Sequence, residues 1–513
     1  MEPLQPGEAL ERRRRHPRNG VAVQVEARER GEARKRPRPH RRDGIVAQVQ
    51  PGRRRVRARG EPLVRDGGDG LAVARMLHEA AYEVKVWLAD IGTPSPDHEA
   101  NLTRLRDKRV VAIETLQEGS TFPEIIKGDI LIDALFGAGL SRPITGYWAS
   151  LLEHLNEQPL TRVAIDIPSG LMADAPSSGA ILKAHHTLTF QLPKLAFFAA
   201  ENAAFVGRWQ VLDIGLSRSA MDDLHSSFYY FPTAAGTPLL RDRGRFDHKG
   251  TYGHALIIAG SHGKIGAAIL CARAALRAGC GLVSVQVPAC GYTIMQIAFP
   301  EAMVIVDQHQ EVFTAAPALQ NFQAVGVGPG LGTNSLTQKG IYELLSEADH
   351  PLVLDADVLN ILGRRKDWQK LLPKGSILTP HPKEFERLFG NSGNSFSRWE
   401  LLREQAGALQ CYVVLKGGNT AIATPEGDIY LLDVGNPGMG TAGAGDVLTG
   451  ILCGLMAQGY TSATAAFLGV CLHGLSGDIA VENKAMESLI AEDIIEHLGQ
   501  AFKRLRAGEN ASA

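Results

Sequence analysis

Two α/β domains in tandem, each built on a mostly parallel, doubly wound sheet, are what this chain of 513 residues predicts. The following observations carry that expectation. From Gly67 onward, strand-like runs alternate with helix-like runs, the pattern of βαβ units. The alternation breaks once, over residues 221–240. Acid-bearing or glycine-rich turns recur straight after strands, where open α/β sheets bind their ligands. At about 150 residues per domain the length suits three ordinary domains or two large ones.

The elements follow in order. "LAVARMLHEAAY" carries apolar residues at helical spacing and "EVKVWLA" reads as a strand. "LTRLRDKR" is a helix, and "VVAIE" and "GDILIDALFG" are strands. "ITGYWASLLEHLN" is a helix, "TRVAIDIPSG" a strand ending in a turn, and "HHTLTFQLPK" and "GRWQVLDIG" complete a sheet near residue 215. After the linker-like stretch, "HALIIAG", "LVSVQVP", "AVGVGPGLG", "PLVLDADVLNIL" and "SILTPHPKEFERLF" supply strands around the helix "GAAILCARAALRAG". "CYVVLKGGNTAIATPEGDIYLLD" holds a hairpin at "PEGD", and a helical pair follows "GNPGMGTAGAGDVLTG". The predicted layout is residues 66–220, a linker at 221–240, residues 241–505 and a short tail, 506–513.

Hydrophobic content of 44% and charged content of 21% are those of a soluble globular protein. The formal charge of −1 hides an asymmetry: residues 1–65 hold 18 Arg and one Lys against eight acids, +11, and the remainder sums to −12. Basic charge confined to one end says nothing about partners of the folded part, and neither nucleic acid nor membrane is expected there. The six cysteines form no CxxC pair and no zinc spacing, so buried thiols of a reducing cytoplasm are expected. No apolar signal core lies in the first 30 residues. "LTGILCGLMAQGYTSATAAFLGVCLHGL" is broken by "QGYTS" and reads as two packed helices. Residues 1–65, with "ERRRRH" and "RPRPHRR", show no structural period. They read either as a disordered basic arm or, the preferred reading, as GC-rich coding DNA translated out of frame.

Four places in the second half can carry chemistry. In "GNPGMGTAGAGDVLTG" small residues run into a helix start, where backbone N–H groups favour an anion, and Asp446 can take a proton beside it. The bland alternative is that Asp446 only caps the helix. "VVLKGGNT" delivers Lys416 and two glycines from a strand, fit for a phosphate. His381 stands between two prolines in "LTPHPKEF", and "VGVGPGLG" leaves room for a ligand face. In the first half, "GGDG", "DALFGAGLSRP" and "DIPSG" place Asp133, Asp166 and Ser169 after strands. An oxygen-only set of this kind suits a hard cation.

The motifs "HKGTYGHALIIAGS", "GAAILCARAALRAGCGLV", "VGPGLG", "LDADVLN", "LTPHPKEFERL", "LKGGNT" and "GNPGMGTAGAGDVLTG" resemble the ADP-dependent NAD(P)H-hydrate dehydratases, which are ribokinase-like. "GGDGLAVARMLHEAAYEVKVWL", "DALFGAGLSRP" and "DIPSGL" resemble the NAD(P)H-hydrate epimerase domain, a Rossmann-like fold. The order is that of the bifunctional bacterial enzymes, over residues 67–505. The resemblance implies R/S epimerisation of hydrated NADH and NADPH (NADHX and NADPHX), and dehydration of the S-hydrate with ADP as co-substrate, giving AMP and phosphate. It implies Asp446 as catalytic base in contact with the hydrate. Lys416, Gly417, Gly418, Asn419, Thr420 and Gly445 would hold the nucleotide, and Ala267, Gly330 and His381 would line the hydrate pocket. In the first half it implies hydrate contacts at Gly67, Gly68, Asp69, Gly137, Ala138, Gly139, Leu140, Ser141, Arg142, Pro143 and Asp166, with potassium on Asp133 and Ser169 and Asp66 as a further candidate. Magnesium for the dehydratase and a homo-oligomer are expected as well.

One departure stands out. The family motif is a strand followed by GNNGGDG; here Arg65 and Asp66 occupy the asparagine positions, and no strand is legible before them. An epimerase half with a missing first strand, and weak epimerisation, follows from that reading. The rival is a ribokinase-type small-molecule kinase with a non-catalytic dinucleotide-binding first domain.

Overall fold

The computed structural model describes the backbone of residues 60–64 and, in full, residues 68–91, 97–107, 111–125, 129–217, 221, 226–365 and 367–508. The Arg-rich segment before residue 60, Arg65, Asp66, Gly67 and the tail beyond 508 lie outside these residues. The chain divides into two compact units near residue 225.

The first unit carries β1 (Gly60–Val64), β2 (Lys85–Ala89), β3 (Ala112–Leu116), β4 (Ile130–Ala134), β5 (Thr161–Ile165), β6 (His186–Phe190) and β7 (Arg208–Leu212), all parallel, in the order β3-β2-β1-β4-β5-β6-β7. Helix Gly68–Glu79 lays Leu71 and Ala74 against Val86 and Leu88, and helix Gly146–Glu157 buries Trp148, Leu151, Leu152 and Leu155.

Here the expectation of a missing strand is corrected. β1 lies inside the sheet, between β2 and β4: Leu63 and Val64 pair with Trp87 and Leu88, and Gly60–Val64 pairs along its length with Ile130–Ala134. Its neighbours keep their pairing, so lost pairing is no ground for weak epimerisation. Gly-Glu-Pro-Leu-Val hides the strand from a sequence reading, because Pro62 cannot donate to the ladder and tertiary pairing decides its conformation.

The second unit carries β8 (Phe228–Tyr230), β9 (His254–Ile258), β10 (Leu282–Val287), β11 (Met303–Val306), β12 (Ala324–Val327), β13 (Leu352–Leu354), β14 (Ile377–Leu378), β15 (Tyr412–Leu415), β16 (Thr420–Ala423) and β17 (Ile429–Leu432). The order is β11-β10-β9-β12-β13-β14-β15-β16-β17-β8, parallel except where β16 meets β15 and β17. The stretch 221–240, read as a linker, is no free connection. It holds β8, which pairs with β17, and a 3₁₀ helix, Thr233–Leu239, whose Thr237 hydroxyl donates to the Leu505 carbonyl at 2.7 Å. Three aromatic residues are too short a run to betray an edge strand, but Tyr229 stacks on Tyr430 at 5.0 Å.

Helices Ile265–Arg277, Ala444–Ala457, Ser462–Val481 and Ala491–Ala507 share one core. Ser462–Val481 is long and apolar enough to cross a membrane, but here it packs inside that core. Gly450 and Gly454 let Ala444–Ala457 approach Ile265–Arg277 closely: a Cβ on either would lie 2.1 Å from the Cys271 carbonyl or 2.4 Å from that of Ala275. In the first sheet the strand order reverses between β1 and β4, in the second between β9 and β12. The carboxyl ends of those strands frame the crevices where such sheets bind ligands.

Candidate functional site

In the second unit, β13 ends in a buried acid, Asp355, followed by Ala356 at a left-handed φ of 51°. The Asp355 carboxylate accepts from Lys416 Nζ at 2.7 Å and from the Thr449 hydroxyl at 2.8 Å. Lys416 follows β15, and Thr449 lies in helix Ala444–Ala457, so one carboxylate ties the glycine turn to the helix. Gly443 enters that helix at φ 88°. A Cβ on Gly445 would stand 3.3 Å from Lys416 Nζ, so the helix start lies close beside the lysine.

Asp446 sits in the first turn of this helix, and no side-chain hydrogen bond involves it among the described residues. Desolvation, then the Asp355 carboxylate, push its pKa up to about 7, with Lys416 opposing and Asp357 adding to the rise. Behind the helix, burial holds the His473 imidazole down at about 4, and its Nε2 stands 2.9 Å from the Ala444 carbonyl. A neutral ring there donates Nε2–H to that carbonyl and fixes the start of the helix.

Around this centre, Gly330 turns at φ 66°, and a Cβ on it would lie 3.0 Å from the Ala267 methyl. The Ser261 hydroxyl holds the Gly330 carbonyl at 2.7 Å, and Asp357 accepts from the Gly332 amide at 2.7 Å. His381 caps helix Pro382–Phe389, its Nδ1 accepting from the Lys383 and Glu384 amides. Desolvation, then Lys416 and Arg387, lower its pKa, so the ring is neutral. The Lys416 amide donates to the Pro380 carbonyl at 2.9 Å, which brings this loop beside the lysine. Gly417 and Gly418 are exposed, and Asn419 and Thr420 half-buried, in the turn from β15 to β16.

The first unit differs. Asp133, at the end of β4, is buried and accepts from the Leu135 amide at 3.2 Å, the Ser169 amide at 2.8 Å and the Ser169 hydroxyl at 2.6 Å. Burial raises its pKa, and these donors oppose the rise. Asp166, after β5, has φ 65°, and its Oδ1 accepts from Lys194 Nζ at 2.7 Å, the Phe190 amide at 3.1 Å and the Thr189 hydroxyl at 3.1 Å. Desolvation, then Asp166 and Asp97, raise Asp69, in the first turn of Gly68–Glu79. Gly68 is buried, with the Asn101 amide 3.1 Å from where its Cβ would stand. In the loop after β4, Gly137, Gly139, Ser141, Arg142 and Pro143 are exposed, while Ala138 and Leu140 are half-buried.

Comparison with known proteins now adds to the geometry. A family model described as NAD(P)H-hydrate dehydratase matches residues 255–500, and one described as YjeF-related protein N-terminus matches residues 60–196. A bifunctional NAD(P)H-hydrate repair enzyme of Thermofilum pendens is 35% identical over 86% of this chain and 86% of its own length. That of Coxiella burnetii is 35% identical over 84% and 87%. The chain belongs to the bifunctional NAD(P)H-hydrate repair enzymes. A solved ADP/ATP-dependent NAD(P)H-hydrate dehydratase from Bacillus subtilis, co-crystallised with ATP/Mg2+, is 30% identical over 54% of this chain and 98% of its own, with a TM-score of 0.47. The N-terminal family match begins at Gly60, the first residue of β1.

The repair-enzyme motifs thus meet in space: Lys416, Gly445 and Asp446 in one cluster, Ala267 and Gly330 in contact range, and Asp133 on Ser169. Sequence reasoning missed Asp355, Thr449, His473 and Lys194. Asp355 had a visible signal, an acid directly after a strand in "LDADVLN". Lys194 had none beyond its place after "FQLP".

Proposed function

We propose that the second unit dehydrates the S form of NAD(P)H hydrate at the expense of ADP. The observation that carries this is Asp446, without a partner among the described residues, at a helix start beside Lys416. Lys416 and the turn Gly417–Thr420 hold the nucleotide with the Gly445 amide, and the helix start stabilises charge on the phosphate in transfer. Asp446 accepts the hydroxyl proton of the hydrate as its oxygen attacks the terminal phosphorus and AMP leaves. Phosphate then departs from the ring carbon while a proton leaves its neighbour, restoring the double bond. Ala267, Gly330 and His381 form the hydrate's side of the pocket. Magnesium is usually bound through one or two carboxylates and the phosphates themselves, a part open to Asp357.

The first unit epimerises the hydrate. Asp69, Asp166 and the loop Gly137–Pro143 contact the dinucleotide. Asp133 and Ser169 offer a buried oxygen-only set, and one acceptor position of the carboxylate stays unused. A potassium ion there, with Asp66, would supply a fixed positive charge beside the substrate. The experiment is direct: incubate the full chain with NADPH hydrate, ADP and magnesium, and follow NADPH absorbance and AMP. Recovery of NADPH with equimolar AMP supports the reading. Phosphorylation of a vitamin precursor without NADPH recovery overturns it in favour of a kinase.

A further inference from the structure

Lys194 belongs to no motif singled out in the sequence, yet it is the most firmly held cation of the first unit's site. Its ammonium bonds Asp166 Oδ1 at 2.7 Å and Thr189 Oγ1 at 3.1 Å, with the carbonyls of Phe190 and Leu192 at 3.3 and 3.4 Å. The Thr189 hydroxyl and the Phe190 amide reach the same Oδ1. All three donors fall on one oxygen, and Asp166 Oδ2 accepts nothing among the described residues. The side chains of Lys194 and Asp166 keep 17% and 23% of their surface, so the pair is open to a ligand on one side. Asp166 is also one of five non-glycine residues with positive φ among the described residues, strain of a kind that marks functional positions.

The substrate chemistry asks for such an arrangement. Water added across C5–C6 of a dihydronicotinamide puts the hydroxyl on the carbon bonded to the ring nitrogen. That centre is a hemiaminal, and it inverts by opening and closing. A base takes the hydroxyl proton, the electron pair forms a carbonyl, the C6–N1 bond breaks and N1 takes a proton from an acid. Closure on the other face of the carbonyl reverses each transfer and inverts C6. The opening step needs a fixed proton acceptor at the hydroxyl. Asp166 is held through Oδ1 by Lys194, Thr189 and the Phe190 amide, which leaves Oδ2 for that part.

We propose that Lys194 is a positioning residue of this epimerisation: by binding Asp166 Oδ1 it fixes the carboxylate so that its unoccupied Oδ2 takes the hydroxyl proton. This rests on the reading of the first unit as a hydrate epimerase. The test follows R-to-S interconversion of NADPH hydrate by chromatography without ADP, on the full chain, with hydrogen exchange over residues 130–212 as the control for folding of the first unit. Lys194→Met lowers kcat for epimerisation by about 10²-fold, the range of general-base loss, with KM within about threefold. Lys194→Arg recovers it to within about tenfold. Parental kcat in Lys194→Met, a loss confined to KM, or no recovery in Lys194→Arg overturns the proposal. Asp166→Asn separates the two ideas. If it too epimerises at the parental rate, the epimerase assignment of Asp166 fails; if it is dead while Lys194→Met is active, only the role of Lys194 fails.

Discussion

Both halves place an acid at the carboxyl side of a parallel sheet, and the two acids are treated in opposite ways. Asp133 is buried with three donors on its carboxylate. Asp446 is partly buried with none among the described residues, beside a lysine that is bonded to another acid. Burial raises the pKa of both. In Asp133 three of the four acceptor positions are spent on holding two loops together, and one is left for an ion. In Asp446 the lone pairs stay available, and the lysine that could neutralise it is held by Asp355. Position on an α/β sheet thus names a candidate, but donor saturation decides whether the carboxylate staples or reacts.

The largest expected effect comes from removing the unsaturated acid. Asp446→Asn keeps the shape but removes the base, so dehydration should fall by about 10²–10⁴. ADP affinity by calorimetry should stay within a few-fold, because Lys416–Thr420 and backbone amides carry it. Near-parental turnover would reduce Asp446 to a helix cap and erase the contrast.

The acid with three donors should also behave as structure. Asp133→Ala strands the amides of Leu135 and Ser169 and the Ser169 hydroxyl. At about 1–3 kcal/mol for a buried group left unmatched, with relaxation, the local cost is roughly 3 kcal/mol. Hydrogen exchange should quicken over residues 130–190 while dehydration by the second unit is unchanged. Unaltered exchange would show that the staple is dispensable.

A pH series sharpens the comparison further. Dehydration that needs ionised Asp446 should rise through a midpoint near pH 7. Asp355→Asn removes the second cause of that elevation and frees Lys416, and both act to lower the pKa. The acid limb should therefore move down by roughly one pH unit, the scale of a single close charge. A limb that stays in place would mean that burial alone sets Asp446. The sign for stability is fixed too. A carboxyl raised in the folded state favours folding most below its unfolded pKa, and that contribution is lost as pH rises through about 7.

How much of this was legible depended on the range of the interactions. β9, β10, β12 and β13 announce themselves as short apolar runs bounded by glycine or proline, and Asp446, Lys416 and Gly445 sit in local patterns with a mechanism. β1, β8 and β11 were hidden, β1 by Pro62, and β8 and β11 by being short runs with no glycine turn after them to mark a strand end. The site residues that were missed act across the chain. Asp355 meets Lys416 61 residues away, and Lys194 meets Asp166 28 residues back. A strand-end acid is visible in one sequence; the donor that saturates it is not.

The smallest expected effect tests the wall of the second site. Gly330 stands at φ 66°, with the Ala267 methyl and the Lys264 carbonyl each 3.0 Å from where its Cβ would be. Gly330→Ala adds left-handed strain of about 1 kcal/mol and one methyl against a tight neighbour. The loop can yield by a few tenths of an ångström, but it then shifts toward the space assigned to the hydrate. KM for the hydrate should rise about three- to tenfold, with kcat within twofold and ADP affinity unchanged, because the atoms nearest the new methyl belong to Ala267 and Lys264. A loss of thermal stability with unchanged KM would make Gly330 a turn residue only. The hydrate pocket would then have to be sought elsewhere around Asp446.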